Sequence, residues 1–313
     1  MLDSQATPAP PAPNIRKWRK SIARVLTALV VIYLLGGVAL YFGQVWMLFP
    51  GAFIHDRNQA KILPAPAREI ITLHNAGGHH IAAVFGAAQD TAGMPLPDAR
   101  TRPTLLFLYG NGDCIATSMG LFETFRRLGA NVLIPEYVGY PMSSGRPTEQ
   151  GCYDTATAAY AYLLTRPDVD PAQIIVIGRS IGSGPAVDLA ARKPVAALAT
   201  FSAFTSMDEM AQKVVPIYPT GLLCMAHFDN WRKMPSVICP VFMAHGTLDD
   251  FVPFTMMARL AAQAHAPVAV VPVDGADHNE IFNVGGSALM QKFGEFIDSV
   301  HRAKTANAKL RKE

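Results

Sequence analysis

Ile174-Ile175-Val176-Ile177-Gly178-Arg179-Ser180-Ile181-Gly182 is the stretch whose reading decides the fold. Four consecutive β-branched residues suit a strand buried on both faces of a parallel sheet. The run ends in Gly-x-Ser-x-Gly and is followed by a helical pattern. A serine held on a sharp strand-to-helix turn requires glycine two positions before and two after it, because side chains there would strike neighbouring backbone. A plain glycine-rich helix start is the alternative. A phosphate-binding loop is excluded, since no Gly-Lys-Ser/Thr occurs here.

Outward from this strand the same grammar repeats. TLLFLYG (104–110), NVLIPEY (131–137), VAALATFS (195–202), VFMAHG (241–246) and VAVVPVDG (268–275) read as further strands, with helical stretches at 151–165, 181–192 and 255–265 among them. IITLH (70–74) and IAAVFGAA (81–88), separated by Asn75-Ala76-Gly77-Gly78, predict an antiparallel hairpin at the sheet edge. Eight strands with intervening helices make an open α/β sheet. Residues 203–240 contain several prolines and no strand signal, which predicts an insertion over the active face.

The N-terminal region differs in kind. Residues 1–21 form a Pro- and Ala-rich segment with a basic end, predicted to be disordered. From Ile22 to Phe42 the only charge is Arg24, and about 20 such residues span a bilayer core of roughly 30 Å. A transmembrane helix over 22–43 is therefore expected. The rival is a cleaved signal peptide, which would have a shorter apolar run and a small-x-small site, whereas Tyr41-Phe42 and Trp46-Met47 continue the hydrophobicity. More basic residues before the helix than after it predict a cytoplasmic N-terminus, with the catalytic domain periplasmic or lumenal. Residues 44–69 are expected to be a linker, 70–301 the catalytic domain and 302–313 a basic tail. The linker would tether the domain within roughly 100 Å of the bilayer.

The formal charge of +3 is carried by the ends: the first 24 residues and the last 12 each hold +4, leaving −5 on the body. That distribution does not form the basic face of a nucleic-acid groove, so no nucleic-acid partner is expected. Cys114, Cys152, Cys224 and Cys239 show no zinc-ligand spacing, and no metal is implied. They read as buried thiols. In an exported domain Cys224 and Cys239 could form a disulfide.

A serine hydroxyl needs a base to act as a nucleophile, and the base needs an orienting carboxylate. Among nine histidines only His278, in Gly-Ala-Asp-His (275–278), sits in a loop after the last strand. His79 and His80 lie at the hairpin turn, expected far from the carboxyl ends of the strands. His245 ends a strand, where a backbone-supporting role is expected. Asp249 and Asp250, in His-Gly-Thr-Leu-Asp-Asp (245–250), compete for the role of the acid.

Several motifs together resemble a known family. They are Leu108-Tyr109-Gly110-Asn111-Gly112, the run from Glu136 to Gly145 (EYVGYPMSSG), Gly178 to Gly184, Phe228-Asp229-Asn230-Trp231, Gly246-Thr247-Leu248-Asp249 and Asp277-His278-Asn279. Across about residues 40–300 the chain is similar to the membrane-anchored α/β-hydrolase-domain proteins of the bud-emergence type, a serine-aminopeptidase-like branch. The resemblance implies an α/β-hydrolase fold: an eight-stranded, mostly parallel sheet flanked by helices, with a short cap insertion. It makes Asp249 rather than Asp250 the acid, completing a Ser180, His278, Asp249 triad. The backbone N–H groups of Asn111 and Ile181 would form an oxyanion hole. The implied reaction is cleavage of carboxylic esters or thioesters through an acyl-enzyme, on a small-molecule or lipid acyl substrate, with no cofactor. The alternatives are a serine peptidase, a catalytically impaired binding protein and a structural membrane protein.

Two departures stand out. Tyr109 occupies the position of the family's histidine, with Gly112-Asp113 in place of Ala-Gly, and Glu136 stands where an aspartate is usual. Asp113 is read as a helix N-cap, with an ion pair to Arg179 as the alternative.

Overall fold

The computed structural model describes residues 15–310 apart from 59 and 66, so most of the expected disordered segment and the end of the basic tail lie outside the described residues. The chain divides between Gly43 and Gln44 into two compact units. The first is dominated by one apolar helix. Helix α1 runs Ile15–Leu48, longer than the 22–43 span expected, because Arg16 to Lys20 and Gln44 to Leu48 are good helix formers on either side of the apolar run. Within it Trp18–Leu48 is long and apolar enough to cross a membrane, and none of its most hydrophobic window is buried against protein.

The second unit is built on one eight-stranded sheet. The strands are β1 (Arg68–His74), β2 (His80–Gly86), β3 (Thr104–Leu108), β4 (Asn131–Pro135), β5 (Ile174–Arg179), β6 (Ala197–Phe201), β7 (Val241–Gly246) and β8 (Val268–Val273). Their spatial order is β1-β2-β4-β3-β5-β6-β7-β8. β1 and β2 form the antiparallel hairpin at the edge, β2 pairs antiparallel with β4, and every later pair is parallel. β3, β4, β6 and β7 are buried along their whole length, and β5 up to Arg179, as their unbroken apolar runs require.

The remaining helices are α2 (Gly51–Ile54), α3 (Ile115–Arg126), α4 (Glu149–Thr165), α5 (Ser183–Arg192), α6 (Met207–Val214), α7 (Thr220–Leu223), α8 (Asn230–Lys233), α9 (Phe254–Gln263) and α10 (Ile281–Leu310). Helix α10 is broken by non-helical backbone at Gly286, and it carries the expected basic tail in helical form as far as Leu310. The insertion contains α6, α7 and α8 and no strand. It is pinned to α5: Asn230 Nδ2 donates to Ser183 Oγ at 3.3 Å, and the Phe228 ring lies so close to Gly184 that a Cβ there would sit 2.3 Å from it.

Two expectations change. Residues 44–69 are not a slack linker throughout, since α1 continues to Leu48, Phe49 is buried in the core and α2 follows. The hairpin turn carrying His79 lies beyond the carboxyl end of β4 rather than away from it, because β2 runs antiparallel to β4 with Ala83 opposite Pro135. The four cysteines are free thiols, as expected, with Cys114, Cys152 and Cys239 buried and Cys224 half-buried.

Candidate active site

Strand β5 delivers Ser180 onto a turn with φ of 51°, a left-handed conformation rare for a residue with a side chain. The flanking glycines are sterically required. A Cβ on Gly178 would stand 2.5 Å from Gly182 O, and one on Gly182 would stand 2.1 Å from Leu108 O. The turn therefore projects the serine at the carboxyl edge of the sheet while β3 passes directly behind it.

The two partner loops follow β7 and β8, where parallel strands place their carboxyl ends side by side. His278 Nε2 lies 2.9 Å from Ser180 Oγ, and His278 Nδ1 lies 2.8 Å from Asp249 Oδ2. All three side chains are buried. Burial would raise the Asp249 pKa, but bonds from His245 and His278 and the Val252 N–H hold it at about 2. An ionised carboxylate only accepts, so the Nδ1 of His278 carries the proton and Nε2 presents a lone pair to the serine hydroxyl. The Phe251 ring covers one side of the imidazole, with centroids 5.0 Å apart. Of the two competing acids the structure brings Asp249 to His278, while Asp250 is exposed and its carbonyl accepts from Lys213.

His245 does more than support backbone. Its Nε2 donates to Val252 O at 2.8 Å and lies 3.2 Å from Asp249 Oδ2, so one imidazole braces both the loop and the carboxylate. The four-residue spacing from His245 to Asp249 was the available signal.

Asn111 and Ile181 sit on the loop after β3 and at the start of the serine turn. Among the described residues neither N–H is taken up by a loop or side-chain hydrogen bond. Asp113 does not cap α3, whose N-cap is Cys114. It pairs instead with Arg179, Oδ2 to Nη1 at 2.6 Å, which ties the loop to the residue before Ser180 and neutralises the charge. Tyr109 joins a buried aromatic cluster: Tyr137 Oη donates to Tyr109 O and Tyr140 Oη donates to Asn111 O. Glu136 is buried beneath the same loop, its Oε2 accepting from the Ile115 N–H at 2.8 Å while Oε1 has no partner, and burial pushes its pKa up to about 7. Among the described residues no cluster of His, Cys, Asp and Glu could hold a metal.

A serine on a strained turn after β5, an aspartate after β7 and a histidine after β8, on this strand order, are the arrangement of the α/β-hydrolase class. The profile of the α/β-hydrolase fold matches residues 103–223. The chain is 32% identical over 238 residues to human α/β-hydrolase domain-containing protein 17B, covering 74% of this chain and 75% of that one. It is also 36% identical over 204 residues to an uncharacterized protein of Mycobacterium tuberculosis, covering 65% and 73% of the two chains. Among solved structures, the esterase Pf2001 of Pyrococcus furiosus superposes with a TM-score of 0.60 at 16% identity, covering 74% of this chain and 92% of its own. An acetyl xylan esterase from Paenibacillus sp. R4 gives 0.58 at 16% identity, covering 76% and 86%. The chain belongs to the α/β-hydrolase family that includes domain-containing protein 17B.

Proposed function

We propose that the protein is a membrane-anchored serine hydrolase that cleaves carboxylic ester or thioester bonds of lipid-like acyl substrates. The observation that carries this reading is the continuous line from Asp249 through His278 to Ser180, at 2.8 and 2.9 Å, with the serine on a strained turn. His278 takes the Ser180 proton as Oγ attacks the acyl carbonyl, and the Asn111 and Ile181 N–H groups receive the developing oxyanion. The protonated imidazole then passes its proton to the departing alcohol or thiol. Water, deprotonated by the same histidine, releases the acid and restores the serine.

The preference for acyl chains is supported by apolar side chains that the cap leaves in solvent, among them Val214, Ile217, Leu222 and Met225. The names of the esterase neighbours support ester cleavage. A fluorophosphonate probe is expected to label the wild type and not Ser180→Ala, and p-nitrophenyl esters are expected to give higher kcat/KM than aminoacyl or dipeptidyl amides. Labelling that persists in Ser180→Ala removes the nucleophile assignment, and a preference for the amides promotes the peptidase reading.

Helix α1 serves as the anchor in this reading, with the catalytic unit across the membrane from a cytoplasmic N-terminus, on the strength of the basic residues that precede the apolar run. In spheroplasts, added protease should degrade the catalytic unit. Its protection until the membrane is permeabilised reverses the orientation.

A further inference from the structure

The segment that leaves the apolar helix does not simply connect. Phe49 is buried with its ring 6.4 Å from that of Phe228 in the insertion, and the next residues lie on the loop after β3. Gly51 N–H donates to Asn111 O at 2.9 Å, and His55 Nε2 lies 2.9 Å from Gly112 O. A carbonyl oxygen only accepts, so His55 carries its proton on Nε2. The approach is close enough to need glycine: a Cβ on residue 51 would stand 2.3 Å from Asp113 O and 2.7 Å from Asn111 O.

These contacts act on a run of peptide planes. Gly110 O accepts from the Asp113 N–H at 3.1 Å, Asn111 O accepts from Gly51 and from Tyr140 Oη, and Gly112 O accepts from His55. Three successive carbonyls are thereby held. In a planar trans peptide the N–H points opposite to the carbonyl, so holding the carbonyls fixes where the N–H groups of this loop point. Asn111 N–H belongs to the first of these planes and is among the groups left without a partner. The loop also lies against the serine turn, since a Cβ on Gly110 would stand 3.7 Å from Ser180 Cβ.

We infer that residues 50–55 are a positioning element of the oxyanion loop: His55 holds Gly112 O and with it the Asp113 N–H that Gly110 O accepts, Gly51 holds Asn111 O between them, and the Gly110 plane so fixed turns the Asn111 N–H to the space above Ser180. This rests on the serine-hydrolase reading for its effect on turnover, and on geometry alone for the docking itself. A donor aimed at developing charge stabilises the transition state more than the bound substrate, so loss of aim lowers kcat with little change in KM.

The test uses the full chain in detergent micelles with p-nitrophenyl butyrate, and compares His55→Ala, His55→Gln and Gly51→Ala. Gln places an amide nitrogen near the position of Nε2 and keeps the donor. His55→Ala is expected to lower kcat about tenfold with KM within about twofold, and His55→Gln to recover to within about threefold of wild type. Gly51→Ala should lose more, and if it does not fold the two His55 variants decide. Amide hydrogen exchange across residues 109–114 supplies a readout independent of turnover, expected to speed up in His55→Ala and not in His55→Gln. Unchanged kcat and unchanged exchange in His55→Ala overturn the inference, as does an equal loss in Ala and Gln variants. Faster exchange in His55→Ala with a wild type that never turns over refutes the triad reading and supports the docking.

Discussion

Two carboxylates, each following a strand at the same edge of the sheet, have opposite fates. Asp249 after β7 and Glu136 after β4 are both buried, yet the first is held at about 2 and the second is raised to about 7. Glu136 lies the deeper of the two, and donors widen the difference. Asp249 receives the Val252 N–H on one oxygen and faces His245 and His278 with the other, whereas Glu136 has one close N–H, from Ile115, and only weaker help from the Tyr109 hydroxyl and the Met142 backbone. Burial disfavours the charged form of either acid, and only a filled set of donors reverses that.

The sharpest way to break this comparison is to remove the charge from Asp249 while keeping its shape. Asp249→Asn is expected to lower kcat by about 10⁴-fold, because an amide no longer selects the Nδ1–H tautomer of His278, while Asp250→Asn should change it by less than about twofold. Steady-state ester hydrolysis checks both. A larger loss at Asp250 would mean that the acid role belongs there.

The smaller effect is on stability and has the opposite sign for the two acids. The Asp249 pKa is depressed in the fold, so its contribution of about 2 kcal/mol is present above pH 3.8 and lost as pH falls toward 2. The Glu136 pKa is raised, so the folded state holds the extra proton between pH 4.5 and about 7. Its contribution, about 3 kcal/mol, is therefore present below that window and lost as pH rises through it. Glu136→Gln should flatten that slope and leave the protein more stable than wild type at pH 8, with kcat changed by less than about threefold. Denaturant unfolding at pH 5, 6, 7 and 8 measures it. Parallel curves for wild type and variant would show that Glu136 does not hold its proton.

The same contrast marks how far the sequence could be read. Strands β3 to β7 announce themselves through apolar runs, and Ser180, Asp249 and His278 through glycines and strand ends, because these signals are local or ordered along the chain. For Asp113 the sequence offered both a helix cap and a pair with Arg179 and favoured the cap, since an aspartate before a helix satisfies the capping pattern equally well. Nor did it show residues 44–55 meeting residues 110–113. That contact is made by a glycine N–H, backbone carbonyls and one imidazole across some 60 positions, and backbone groups leave no mark in composition. The position of the hairpin turn was missed for a related reason: which end of the sheet it reaches depends on the partner of β2, a long-range choice.

The four free thiols, finally, have a bearing on where the catalytic unit can work. Oxidation and exchange proceed through the thiolate, and burial raises the pKa of Cys114 and Cys152 and pushes Cys224 and Cys239 up to about 11. At neutral pH a thiol with that pKa is ionised in about one molecule in 10⁴. The fold owes none of its stability to a cross-link that a reductant could cut, and its cysteine thiols offer an oxidant almost no thiolate to attack. The cysteines are in this sense indifferent to redox poise, on whichever face of a membrane the domain lies.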